Sequence, residues 1–143
     1  MTTTSIKETI EVIETAAADY FSNEIVEIYF EKFTNTKLEK AFPQVSFYYA
    51  DAGTTTTLNT NVVSLQFEFL DVISGRKDKN DRRKEVVSDM FDLASRFVTH
   101  LRQNENLLID PNVPMTPFDN KYKDGLGGVE FTLNVTMIKP CVS

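Results

Sequence analysis

Val129-Glu130-Phe131-Thr132-Leu133-Asn134-Val135-Thr136-Met137 is the stretch that decides the fold. Its apolar and polar side chains alternate without a break. That is the period-two pattern of a strand with one face on a core and one face in water. The same alternation stands upstream at residues 62–73, with Val63, Leu65, Phe67 and Phe69 directed inward and Ser64, Gln66 and Glu68 outward. Pro43 opens a third run at residues 44–50, with Val45, Phe47 and Tyr49 on one face. Between these last two runs lie residues 51–61, which hold Asp51, Gly53, Asn59, Asn61 and the tract Thr54, Thr55, Thr56, Thr57. Two strands around a turn-rich segment read as an antiparallel hairpin. Residues 51–61 are expected to be its projecting loop, ordered by a neighbour because they have little to bury in their own domain.

Residues 4–21 read as a helix. Ser5 is the expected N-cap, with Glu8 three residues on in a capping box, and Ile6, Ile10, Ile13, Ala17 and Tyr20 share one face. Residues 25–33 suit a strand covered on two sides or buried by a neighbouring chain. A second, longer helix ends near Gln103, with Asn80 or Asp81 as cap. Its apolar stripe is read as Val87, Met90, Phe91, Ala94, Phe97, Val98 and Leu101. Residues 104–112 read as a loop. Residues 113–122 read as a strand pushed toward an edge by Pro114 and Pro117. The glycines of Gly125-Leu126-Gly127-Gly128 are expected in a hairpin turn that needs positive φ. The class is therefore α+β. An antiparallel β-sheet with a long hairpin is packed on one face by an N-terminal helix and one long amphipathic helix. Residues 1–143 form a single domain, with 1–4 as a flexible arm and 140–143 as a tail.

The chain carries a net charge of −6, which argues against tight nucleic-acid binding through many phosphate contacts. It has no apolar run long enough to span a bilayer, and no secretory signal is read at its N-terminus. The single cysteine, Cys141, cannot form an internal disulfide and fits a tail or strand-end packing residue in a reducing compartment. His100 is the only histidine, so no zinc-type cluster forms around it, and it reads as a surface residue. The glycine-rich segment leads into a strand rather than a helix, unlike a phosphate-binding loop. Asp110, Asp119 and Asp124 lack the spacing of a calcium loop. No catalytic set, metal or cofactor is expected, and the chain is read as not an enzyme.

One segment stands out electrostatically. Residues 76–84 hold Arg76, Lys77, Lys79, Arg82, Arg83 and Lys84 against Asp78 and Asp81. The plain reading is a solvated connection at a helix start. The functional one is a dock for an acidic surface or for passing DNA, set in a chain that is otherwise strongly acidic. The candidate interface residues are thus Thr54, Thr55, Thr56, Thr57 and Asn59 at the hairpin and Arg76, Lys77, Lys79, Arg82 and Arg83 in the basic run.

The order of elements resembles that of tail terminator, tail-completion and neck proteins of tailed bacteriophages, those of Bacteroidetes phages most of all. The resemblance is carried by Phe67-Glu68-Phe69-Leu70-Asp71-Val72, the charged residues 76–84, the helix at 86–101, Thr116-Pro117-Phe118, Asp124-Gly125 and the strand at 129–135. It departs from that pattern at Gly128-Val129, where the family often has a Trp. The resemblance implies a virion structural protein of the neck or tail. It would form a homo-oligomeric ring of about six or twelve copies at the head–tail junction, beside portal, neck or tail proteins. DNA would pass through without specific binding, and no membrane is involved. The protein would be made in the bacterial host cytoplasm and end in the virion. An acidic lumen would favour passage over binding by repelling phosphates at short range. The alternative is a stand-alone α+β protein-binding or adaptor domain without catalytic activity.

Overall fold

The computed structural model describes residues 2–21, 27–31, 43–73, 79–119 and 125–139, excluding the side chains of Glu27, Ala52, Lys79, Asn80 and Asp81. In chain order the elements are α1 (Ile6–Tyr20), β1 (Glu27–Tyr29), β2 (Gln44–Thr56), β3 (Thr60–Val72), α2 (Lys79–Arg102), β4 (Leu108–Ile109), β5 (Met115–Asp119) and β6 (Leu126–Ile138). The α+β class follows. Among the described residues the sheet runs β1-β2-β3-β6-β4, and β5 also pairs with β6.

The alternating strands form the centre. β3 and β6 pair antiparallel from Thr60↔Ile138 to Val72↔Leu126 without a register shift. Each residue of one therefore shares a face with its partner. Phe67 lies opposite Phe131 and Phe47. The three rings stack as a row, with centroids 5.0 and 5.2 Å apart and planes within 8° and 3°. Val63, Leu65, Phe69, Val129, Leu133 and Val135 complete the buried face. Both helices pack on it, so the core lies between one sheet face and the two helices.

α1 forms for the reasons legible in its sequence. The Ser5 hydroxyl accepts from the Glu8 N–H at 3.1 Å, and the Glu8 carboxylate accepts from the Thr4 N–H at 3.3 Å. Ile10, Ile13, Ala16 and Ala17 are buried. The residues before it are not all a loose arm. Thr3 is fully buried, donates its N–H to Asn106 O and accepts from Ile138 N–H, both at 3.1 Å. The 140–143 tail and Cys141 lie outside the described residues.

Several sequence expectations change. The sheet is not wholly antiparallel, because β1 pairs parallel with β2 from Glu27↔Gln44 to Tyr29↔Ser46. Three residues are too short for a hydrophobic period to reveal direction; the rest of 25–33, apart from residues 30 and 31, lies outside the described residues. Residues 51–61 are not a loop: β2 continues to Thr56, β3 begins at Thr60, and only a tight turn remains. Gly53, with φ 74°, sits where the register shifts between Tyr49 and Thr54, so it marks a bulge. Leu108–Ile109, expected as loop, adds a short strand against Val135–Thr136. Asn80 and Asp81 lie inside α2, not at its cap. Gly127 and Gly128 lie inside β6 rather than in the turn before it. Glu68, expected to face water, is fully buried with Gln44 and Ser46, so the second sheet face is partly covered as well.

The stripe of α2 also shifts. Val86, Met90, Leu93, Ala94, Phe97, Val98 and Leu101 are buried, whereas Phe91 is 50% exposed and Val87 only half-buried. At 3.6 residues per turn the seam centred on Met90, Ala94, Phe97 and Leu101 leaves positions 87 and 91 on its flank. They stand over β5, a short edge strand whose prolines limit how far it can extend over them.

Candidate interaction surfaces

The hairpin tip is built by its own threonines. Thr57 N–H donates to Thr60 O at 2.8 Å, Thr60 N–H donates to Thr57 Oγ1 at 3.2 Å, and Thr56 Oγ1 donates to Asn61 Oδ1 at 2.6 Å. Lys139 N–H reaches Asn59 O at 3.3 Å, so the end of β6 runs beside the tip. The tip is thus ordered within the chain, and the expectation that a neighbour orders it is corrected. Thr54, Thr55, Thr56, Thr57 and Asn59 are exposed, as is Leu58, at 88% the most exposed large apolar residue among those described. Leu58 was not singled out from sequence because it sits inside a polar run.

The described part of the basic run, from Lys79 onward, begins α2 at the opposite end of β3. Eleven residues at about 3.3 Å each separate Thr60 from Asp71, roughly 35 Å. The two candidate segments are therefore separate surfaces. Arg76, Lys77 and the Lys79 side chain lie outside the described residues. Arg82 is committed within the chain. It pairs with Asp71 and Glu85, each at 3.7 Å, and donates to Val72 O at 3.4 Å, tying the start of α2 to the end of β3. Arg83 behaves differently. Its Nε is buried and has no hydrogen-bond acceptor.

Arg83 and Lys84 rim a groove of about 770 Å³ between α2 and β5, lined further by Val87, Phe91, Met115 and Phe118, with Asp119 at the far side. This groove was not visible in sequence. It forms because Val87 and Phe91 miss the core and because β5 is short. Since Phe91 is half exposed, Phe91→Ala is expected to lower stability by less than about 1 kcal/mol in urea unfolding, a result that reverses its sequence-based assignment to the core.

A second groove, of about 430 Å³, lies at the other end of α2, where α1 crosses it. Glu8, Glu11, Thr15 and Asp19 line it from α1, His100 from α2, and Gln103 and Asn104 from just beyond the end of α2. His100 is half-buried and packs on Tyr20, with ring centroids 5.0 Å apart. Its role is therefore packing between the helices, a little deeper than a surface histidine.

The outer edge of β2 is the third surface. β1 covers it only from Gln44 to Ser46. Among the described residues no strand pairs with that edge from Phe47 to Thr56. Tyr49 is 54% and Phe30 36% exposed there, their rings meeting edge to face at 5.3 Å.

Among the described residues no group of three or more His, Cys, Asp or Glu could hold a metal ion. No described helix is long and apolar enough to cross a membrane. The chain matches no protein-family model and no curated protein.

Proposed function

We propose that the chain is a non-catalytic structural subunit of a phage neck or tail, assembling into a ring at the head–tail junction through which DNA passes. The observation that carries this reading is that, among the described residues, no strand pairs with the outer edge of β2 beyond Ser46. An unpaired edge offers a row of N–H and C=O groups to another chain, and proteins usually blunt it with Lys, Pro or a covering element. Residues 47–56 contain neither Lys nor Pro, and the bulge at Gly53 interrupts the edge but leaves residues 47–49 and 54–56 in regular strand. The exposed Phe30–Tyr49 pair adds apolar surface beside the same edge. A neighbouring subunit that completes the edge removes both liabilities. Contacts of unlike surfaces that close on themselves make a ring. The net charge of −6 suits a lumen that lets DNA pass without holding it.

Negative-stain electron microscopy of the purified protein tests this. Annular particles with a central opening wide enough for a DNA duplex are expected. Tyr49→Lys places a charge on the edge and is expected to abolish the annuli. Its effect on unfolding should stay within about 1.5 kcal/mol, because the side chain is half exposed and loses mainly its edge-to-face contact with Phe30. Rings that form normally from Tyr49→Lys would show that the β2 edge is not the contact. A protein that stays monomeric would favour the adaptor reading, with the groove between α2 and β5 as its binding surface.

A further inference from the structure

We propose that neighbouring copies meet through opposite charge, the groove rimmed by Arg83 and Lys84 in one copy receiving the acidic stripe of α1 in the next. This inference rests on the ring reading and names a pair of surfaces that meet.

The basic side is set by which charges the fold leaves uncommitted. Arg82 is already paired with Asp71 and Glu85. Among the described residues Arg83 has no ion pair, and its Nε is withdrawn from water without an acceptor. A buried donor left unsatisfied is unfavourable until an acceptor arrives. Lys84 is exposed beside it, and the groove floor presents Phe91, half exposed, with Val87 and Met115. Asp119 lines the same groove from β5, so the site suits a carboxylate that meets the Arg83 and Lys84 rim and is carried next to small or apolar side chains.

The second copy supplies that chemistry. Glu8, Glu11, Thr15 and Asp19 recur three or four residues apart, so they lie along one face of α1. Val12 and Ala16 line the same groove between them. Glu11 has Lys7 at 3.8 Å, but the two side chains are 60% and 86% exposed and the pair is weak. α1 has no basic residue in its last turn, so the negative end of its dipole adds to the negative charge of the stripe.

The two surfaces lie at opposite ends of α2. Residues 84 and 103 are separated by roughly 28 Å of helix at about 1.5 Å per residue. Each copy thus carries a basic and an acidic surface far apart, and joining one to the other leaves a free surface at each end for the next copy. A repeat of that contact closes into a ring when the rotation allows. Exposed rim charges also make the association faster and salt-dependent.

Sedimentation velocity of the full chain at about 50 and 500 mM salt tests the pairing. Four samples are compared: the wild type, Arg83→Glu with Lys84→Glu, Glu11→Lys with Asp19→Lys, and an equimolar mixture of the two double variants. Each double variant alone is expected to associate at least about tenfold more weakly than the wild type at low salt. In the mixture every basic surface again meets an acidic one, and assembly should return. Melting curves check that each variant folds; if the α1 double variant does not, Glu11→Lys alone takes its place with a smaller effect in the same direction. Double variants that assemble like the wild type, or a mixture that fails to recover, overturn the pairing while leaving the ring reading intact. A wild-type protein that is monomeric or stops at a dimer overturns both.

Discussion

Gly128→Ala is expected to lower stability by about 3 kcal/mol or more, and the melting temperature by at least about 10 °C. The reason is a close backbone approach inside the sheet. An alanine Cβ at position 128 would stand 1.7 Å from Phe69 O and 2.9 Å from Phe69 C. The obstacle is main chain, so no side chain can turn aside to make room. Gly128 also has φ 156°, where side chains are disfavoured. Accepting a methyl group would force β3 and β6 apart at Leu70↔Gly128, two residues from the Val72↔Leu126 end of the longest strand pair. Gly53→Ala is the control. Its φ of 74° is also unfavourable, but nothing lies within 4 Å of the added carbon, so a loss near 1 kcal/mol is expected. Equal, small losses for both variants in urea unfolding would mean that the β3/β6 register differs from the one described.

Phe97→Ala is the second large effect, a loss of about 3–5 kcal/mol. Phe97 is fully buried and joins the two helices to the sheet. Its ring stacks on Phe21 at 5.2 Å and meets Phe69 and Phe67 at 5.8 and 6.2 Å. Removing it opens a cavity among aromatic side chains that belong to α1 and β3, and rigid rings held on two elements cannot collapse to fill it. Denaturant titration reads the loss directly, and a value below about 1 kcal/mol would show that α2 does not close the core here. The contrast with Phe91, six residues earlier and expected to be nearly neutral, tests the rotation of the helix as well as its presence.

These variants also show where the sequence could be read. Strong periods over many residues were legible: β6 alternates over residues 129–137 and β3 over residues 63–69, and one face of each is the core face. Local capping chemistry was legible too, since Ser5 and Glu8 act within a single turn. Helix α2 was legible as an element, but a stripe seven residues wide did not tell which flank faces the core. That depends on β5, which belongs to the other end of the chain. Glu68 follows the polar positions of β3 and is nonetheless buried, because alternation reports only that two faces differ and not that one is wet. β1 is too short to carry a period of its own.

The candidate surfaces divide in the same way. The hairpin and the basic run were recognisable from composition, since Thr, Gly and charge clusters mark turns and connections. Composition could not tell Arg82 from Arg83. Only the end of β3, brought alongside by the fold, commits the first through Asp71 and leaves the second without an acceptor. The grooves at the two ends of α2 each join segments distant in sequence, α2 with β5 and α2 with α1. No local pattern encodes such a juxtaposition.

Native mass spectrometry of the intact protein tests the central claim most directly. A subunit of 16.3 kDa that completes its sheet edge and pairs its charged surfaces with neighbours should give one closed assembly, at a single integer multiple of that mass. The multiple should exceed two and stay fixed as the protein concentration rises. A spectrum holding only the 16.3 kDa species at every concentration would contradict the account.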